Sequence, residues 1–143
     1  MMKQSIILFF LTALVCVSPG CKKVSEGDSL IGAWELRQST GGMTPAVSYS
    51  PGNGNILKFT DNSYELYTNS QFTRSGSYTL QFDNTAQTNV CLVIQPGEYT
   101  NRIIYDSDSS GYKEFLQVSG NTLTFVKGCF ALDAGQKLVY ERQ

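Results

Sequence analysis

The chain has 143 residues, one-domain size, with eleven Lys plus Arg against twelve Asp plus Glu, no histidine and a formal charge of −1. That balance gives no basic footprint for nucleic acid, and the missing histidine removes the commonest general base and metal ligand. Eight Tyr, eight Phe and one Trp, among much Thr, Val, Ile and Gly, favour pleated sheet over helix.

Residues 5–17, SIILFFLTALVCV, form an apolar run of thirteen behind Lys3, followed at once by Ser18, Pro19 and Gly20. Such a run is too short to span a bilayer, so residues 1–20 are expected to be a signal peptide. The next residue is Cys21, and VSPGC resembles a bacterial lipobox, at which lipoprotein signal peptidase cuts before a lipidated cysteine. Ser18 stands where many lipoboxes carry Leu. The resemblance implies acyl chains on Cys21, and at about 0.8 kcal/mol per buried methylene several chains hold a protein on a membrane almost permanently. The alternative is an ordinary secretory signal that abuts a cysteine. Lipidation would place the protein in a bacterial cell envelope as an outer membrane lipoprotein, on the periplasmic or the surface face. Residues 21–29 then comprise the lipidated cysteine and a short polar tether whose Lys22 and Lys23 can touch anionic lipid. Residues 30–143 are left for a single domain.

Cys16 would leave with the leader and Cys21 would take the lipid, which leaves Cys91 and Cys129 in an oxidising compartment. A disulfide between them is expected, closing a segment of 37 residues. Loop-closure entropy would make such a bond worth roughly 4 kcal/mol. Two separately buried thiols are the alternative, and zinc is disfavoured because two cysteines without histidine offer too few ligands.

From Leu30 onward short alternating runs are punctuated by Gly, Asn, Asp and Ser, with no helical stripe. Strands are predicted at 31–38, 55–60, 63–68, 74–82, 89–95, 101–106, 113–119, 121–127 and 137–142. Thr60 to Ser63 suit a tight hairpin that sets Phe59 opposite Tyr64. Period-two alternation turns Trp34, Leu36, Leu57, Phe59, Tyr64, Leu66, Gly76, Tyr78, Leu80, Leu123 and Phe125 inward, and Glu35, Lys58, Glu65 and Thr124 outward. Ser119 to Thr122 and Asp133 to Gly135 mark further reversals. The expected architecture is therefore all-β, an antiparallel up-and-down barrel of about eight to nine strands. Residues 39–54, rich in Gly, Ser and Pro, read as one long loop carrying Met43 and Tyr49.

Gly32, Ala33 and Trp34 form the G-x-W that opens the first strand of lipocalins and their calycin relatives. With the lipobox, LIGAWEL, LKFTDNSYELY, SGSYTL, GNTLTF and the closing LVYERQ, the chain resembles lipocalin-like lipoproteins common in Bacteroidota. The resemblance implies that Arg142, on the last strand, packs over the Trp34 indole. It also implies a barrel that takes a small apolar or amphipathic ligand beneath the 39–54 loop. Tyr64, Leu66, Tyr78, Leu80 and Phe125 would line the site, with Met43 and Tyr49 near the mouth. The rival reading is a barrel packed solid, a structural or interaction lipoprotein whose protein partner is unknown.

No G-x-S-x-G, Walker or dinucleotide fingerprint occurs, so neither an enzyme nor a cofactor is expected. In DSDSSG, Asp106, Asp108 and Ser110 match the opening of a calcium loop by spacing, yet Gln117 stands at the twelfth position and strands flank it. A solvated hairpin loop is the expectation there, with a weak calcium site as the alternative.

Overall fold

The computed structural model describes residues 29–42 and 44–143; the leader, Cys21, the tether up to Asp28 and Met43 lie outside the described residues. The strands are β1 (Gly32–Gly41), β2 (Thr44–Ser48), β3 (Ile56–Phe59), β4 (Ser63–Thr68), β5 (Gln71–Phe82), β6 (Asn101–Tyr105), β7 (Glu114–Ser119), β8 (Thr122–Lys127) and β9 (Gln136–Arg142), with a short α-helix, α1 (Ala86–Val90), between β5 and β6 and a 3₁₀ turn, Phe130–Leu132, between β8 and β9. Eight of them, β1 and β3 to β9, pair antiparallel in chain order, and β1 closes the ring on β9 from Trp34↔Arg142 to Gly41↔Gln136. The result is a closed up-and-down barrel of lipocalin-like architecture, with β2 outside the ring against the second half of β1. Closure removes the open edges that a sheet of this size would otherwise expose.

Alternation decides which side chains fill it. Trp34, Leu57, Phe59, Tyr64, Tyr78, Ile103, Leu116, Leu123, Phe125 and Tyr140 form the interior cluster, each on the inward parity of its strand. The Thr60 N–H donates to the Ser63 carbonyl at 2.9 Å, which sets Phe59 opposite Tyr64. One end of the ring, here the base, carries Gly32, Phe59, Ser63, the β7–β8 turn and Arg142. The other, the mouth, carries Gly41, Thr68, Glu114, Lys127 and Gln136.

A second, smaller cluster lies outside the barrel. The outward-facing Phe115 and Val126 are roofed by Ala86, Val90 and Tyr99 from the segment that joins β5 to β6, with Ile94 and Phe130 at the margin. Cys91, just after α1, is bonded to Cys129 in the β8–β9 connection, so the end of the helix is fastened to the barrel wall.

Four local expectations are corrected. The predicted strand 89–95 is the last turn of α1 followed by turns. Its apolar residues serve the outer cluster, and a short apolar run does not by its pattern distinguish a strand from a buried helical turn. The predicted loop 39–54 begins as a hairpin, Gly41↔Thr44 and Ser39↔Val47, so its first half is strand. Glu35 points outward as parity demands but is only 2% exposed. The loop after β2 folds over it, and its carboxylate accepts the Gly52 and Gly54 N–H groups and the Arg37 guanidinium. Leu80 shares the parity of Tyr78 but is 47% exposed, because β5 pairs with β4 only as far as Ser63↔Ser77 and then continues past the base alongside β6.

Candidate functional site at the barrel mouth

The base is shut by the opening motif. Trp34 is fully buried and its indole N–H donates to the Leu30 carbonyl at 2.8 Å. Arg142 lies over that ring, Cζ 4.1 Å from the centroid, and its guanidinium donates to the carbonyls of Ile31 at 2.9 Å and Ser29 at 2.6 Å. Gly32 is required on two counts. Its φ is +136°, and a Cβ there would stand 2.8 Å from Arg142 Nη1. The three residues thus form one latch that draws the incoming chain across the base.

The mouth is different. A cup of about 190 Å³ opens there between Leu57, Tyr64, Leu66, Arg74, Tyr105, Glu114, Phe125, Lys127, Leu138 and Tyr140. Of the residues expected to hold ligand, Tyr64, Leu66 and Phe125 line this cup. Tyr78 does not; its hydroxyl donates to the Thr60 carbonyl at 2.7 Å, toward the base. Leu80 lines a separate outer groove. Tyr49 follows β2, half-buried, with its N–H on the Arg37 carbonyl; Met43 lies outside the described residues.

The polar members of the cup were missed by sequence reasoning, although parity could have found them. Arg74 precedes Gly76 by two residues, Glu114 precedes Leu116 by two and Lys127 follows Phe125 by two, so all three share the inward face. Near a barrel's mouth an inward position reaches water, and a charge is tolerated there.

Their electrostatics follow from that partial burial. Arg74 sits over two tyrosine rings, Cζ 5.5 Å from the centroid of Tyr64 and 5.9 Å from that of Tyr105. Lys127 Nζ approaches Glu114 Oε1 at 3.8 Å. Burial pushes the Glu114 carboxyl above its ordinary range, against the smaller downward pull of Lys127 and Arg74. Burial also raises the phenols of Tyr64, Tyr105 and Tyr140, Tyr64 further through its hydrogen bond to Asp106 at 2.9 Å, and Tyr105 and Tyr140 further through the neighbouring Glu114 charge. All three phenols therefore stay protonated at neutral pH, Tyr64 with its proton already committed to Asp106. Edge-on contacts of Tyr64 with Tyr105, centroids 4.7 Å apart, and of Phe125 with Tyr140, 5.9 Å apart, hold the rings in place. The cup thus combines an apolar floor with a rim of two cations, one carboxyl and neutral hydroxyls.

In the 106–111 loop, Asp106 is occupied by Tyr64 and by the Ser77 N–H, while Asp108 accepts the Ser110 N–H and hydroxyl. Among the described residues no group of three or more Cys, Asp or Glu is placed to hold a metal ion. Compared with models of known families, with curated proteins and with solved structures, the chain matches none of them.

Proposed function

We infer that the protein is a membrane-tethered binding module whose barrel takes a small amphipathic molecule in the cup at its mouth, held in the cell envelope by lipid on Cys21. The observation that carries this reading is the cup itself, where an apolar floor of Leu57, Leu66, Phe125 and Leu138 meets a polar rim of Arg74, Tyr105, Glu114, Lys127 and Tyr140. Pockets of this kind bind through apolar contact and orient through a few polar groups.

Volume limits the guest. The cup's 190 Å³ lies below the ~300 Å³ floor of ordinary small-molecule pockets, and a cavity of roughly 150 Å³ accommodates benzene. A guest of one ring or a short chain with one polar end fits. The reading includes no catalysis.

A second reading has its own observation. Below the cup the interior is filled by Trp34, Phe59, Tyr78 and Leu123, as expected of a barrel packed for structure alone. Native mass spectrometry of the lipoprotein purified from its own host separates the two. Ligand binding predicts a repeated small added mass that disappears in Leu66→Trp, whose larger side chain fills the cup. Bare protein mass in every preparation of both forms would establish the packed barrel instead.

A further inference from the structure

We propose that the base of the barrel lies against the lipid bilayer, with Leu80 and Phe82 at the membrane interface and the cup facing away from it. This rests on the lipid-anchor reading of Cys21 and goes beyond it, because an anchor on a tether does not by itself orient a domain.

Three observations converge on that end. The chain enters the domain there, and the entry point is fixed. Ser29 and Ile31 are bound through their carbonyls to Arg142, and Leu30 is held by Trp34 and buried in the barrel interior. From Cys21 to Ser29 there are eight residue steps, which at ~3.5 Å each span no more than about 28 Å even when fully extended. The base is therefore confined near any membrane that holds Cys21, whereas the mouth is separated from the tether by the length of the strands.

The same end carries unpaired apolar surface. Beyond Ser77, β5 runs past β4, and on that overhang Leu80 is 47% and Phe82 73% exposed, two positions apart and so on one face. Leu80 and Leu30 border a common groove of about 310 Å³ with Tyr99, Leu116 and Val118, and Ile31, at 46% exposed, adjoins it in the chain. Aromatic and aliphatic side chains clustered beside an anchor fit a headgroup and acyl boundary. The adjoining turns, Thr60 to Ser63 and Ser119 to Thr122, carry a single charged side chain, Asp61, and Asp83, next to Phe82, is already paired with Lys113 at 2.8 Å.

The test uses the full lipidated protein in phosphatidylcholine vesicles, with and without bromine on the acyl chains as a short-range quencher of tryptophan. Two variants are compared, Phe82→Trp at the base and Leu132→Trp in the β8–β9 connection at the opposite end; both positions are exposed, so neither change opens the core. Flotation with the vesicles is measured first. Membrane contact of the base predicts that the added Phe82→Trp emission falls at least about twofold in brominated vesicles, while Leu132→Trp and native Trp34 keep theirs. Flotation without quenching of Phe82→Trp, or with quenching of Leu132→Trp, would overturn the orientation and leave the anchor intact. Failure to float would overturn the anchor, and the orientation with it.

Discussion

Arg142→Ala should unlatch the base of the barrel, and the size of the effect follows from what the guanidinium touches. It donates to two carbonyls, of Ile31 at 2.9 Å and Ser29 at 2.6 Å, and lies 4.1 Å above the Trp34 centroid. Hydrogen bonds from a charged donor contribute roughly 1.5 to 3 kcal/mol each and a cation over an indole roughly 0.5 to 2. The three share one side chain that water partly reaches, and they do not add, so a loss of about 3 kcal/mol is expected. Arg142→Lys keeps the charge over the ring but cannot fork to both carbonyls, and about half that loss should remain. Urea unfolding followed through Trp34, the chain's only tryptophan, measures both, and the native emission of Arg142→Ala should shift to the red as water reaches the indole. Gly32→Ala should cost at least as much as Arg142→Ala, since it combines an unfavourable φ with a collision against Nη1. A change under about 0.5 kcal/mol in Arg142→Ala, with Trp34 emission unmoved, would refute the latch.

Replacing both Cys91 and Cys129 by Ser should lower stability by roughly 4 kcal/mol, from loop-closure entropy across a separation of 38 residues; equal urea midpoints for the oxidised protein and the double variant would count against it. The Glu35 carboxyl is held down at about 2 by its hydrogen bond to Arg37 and by the Gly52 and Gly54 N–H groups, against the upward push of burial. Because the folded value is depressed, this group's stabilisation, about 3 kcal/mol from a shift of that size, is present above pH ~4.5 and is lost as pH falls toward 2. Glu35→Gln should abolish that acid-limb loss, so parallel stability curves for variant and parent between pH 5 and 2 would be inconsistent with it. Glu114 is the opposite case, a carboxyl raised by burial, whose ionisation costs stability as pH rises from about 4.5 through its folded value. Glu114→Gln should accordingly raise the urea midpoint at neutral pH and change it little at pH 4; a lower midpoint at neutral pH would show instead that the Lys127 pairing dominates.

Much of the barrel was legible because closed antiparallel sheets write a period-two pattern into the chain. Phe59 and Tyr64 flank a turn of Thr, Asp, Asn and Ser, and their pairing follows from that spacing alone. Two of the misreadings, the 89–95 strand and the exposed Glu35, share one cause, which is a second layer covering part of the outer wall. Val90 and Ile94 are apolar because they face Phe115 and Val126 across that layer, and period-two logic, which knows only inside and outside of a sheet, turned their run into a strand. Glu35 failed for the same reason from the other side, since an outward carboxylate counts as exposed until a loop supplies N–H groups to cover it. The cup was half legible. Parity turned Leu57, Tyr64, Leu66 and Phe125 inward, while Tyr105, Leu138, Tyr140 and the charged Arg74, Glu114 and Lys127 were not assigned to the interior, although a charge is tolerated in the last inward row before an open mouth.

The interior is graded along its axis, and that grading separates what the two ends can do. Near the base, Trp34, Phe59, Tyr78 and Leu123 leave no room for a guest, and every polar group named there, the Trp34 indole, the Arg142 guanidinium and the Tyr78 hydroxyl, is satisfied by backbone carbonyls. At the mouth the packing stops one row short, and the groups that remain, a guanidinium over two rings, an ammonium at 3.8 Å from a carboxyl and neutral phenols, are held by loose electrostatic contacts. Groups held that way can exchange partners at little cost, whereas the latch cannot without opening the fold. Substitutions at Arg74 or Lys127 should therefore alter occupancy of the cup with less than about 1 kcal/mol lost in stability, while Arg142→Ala should cost stability and leave cup residues able to bind in whatever fraction remains folded. If Arg74→Ala instead unfolded the protein as readily as Arg142→Ala, the mouth would be part of the structural core and the case for a binding site there would fall.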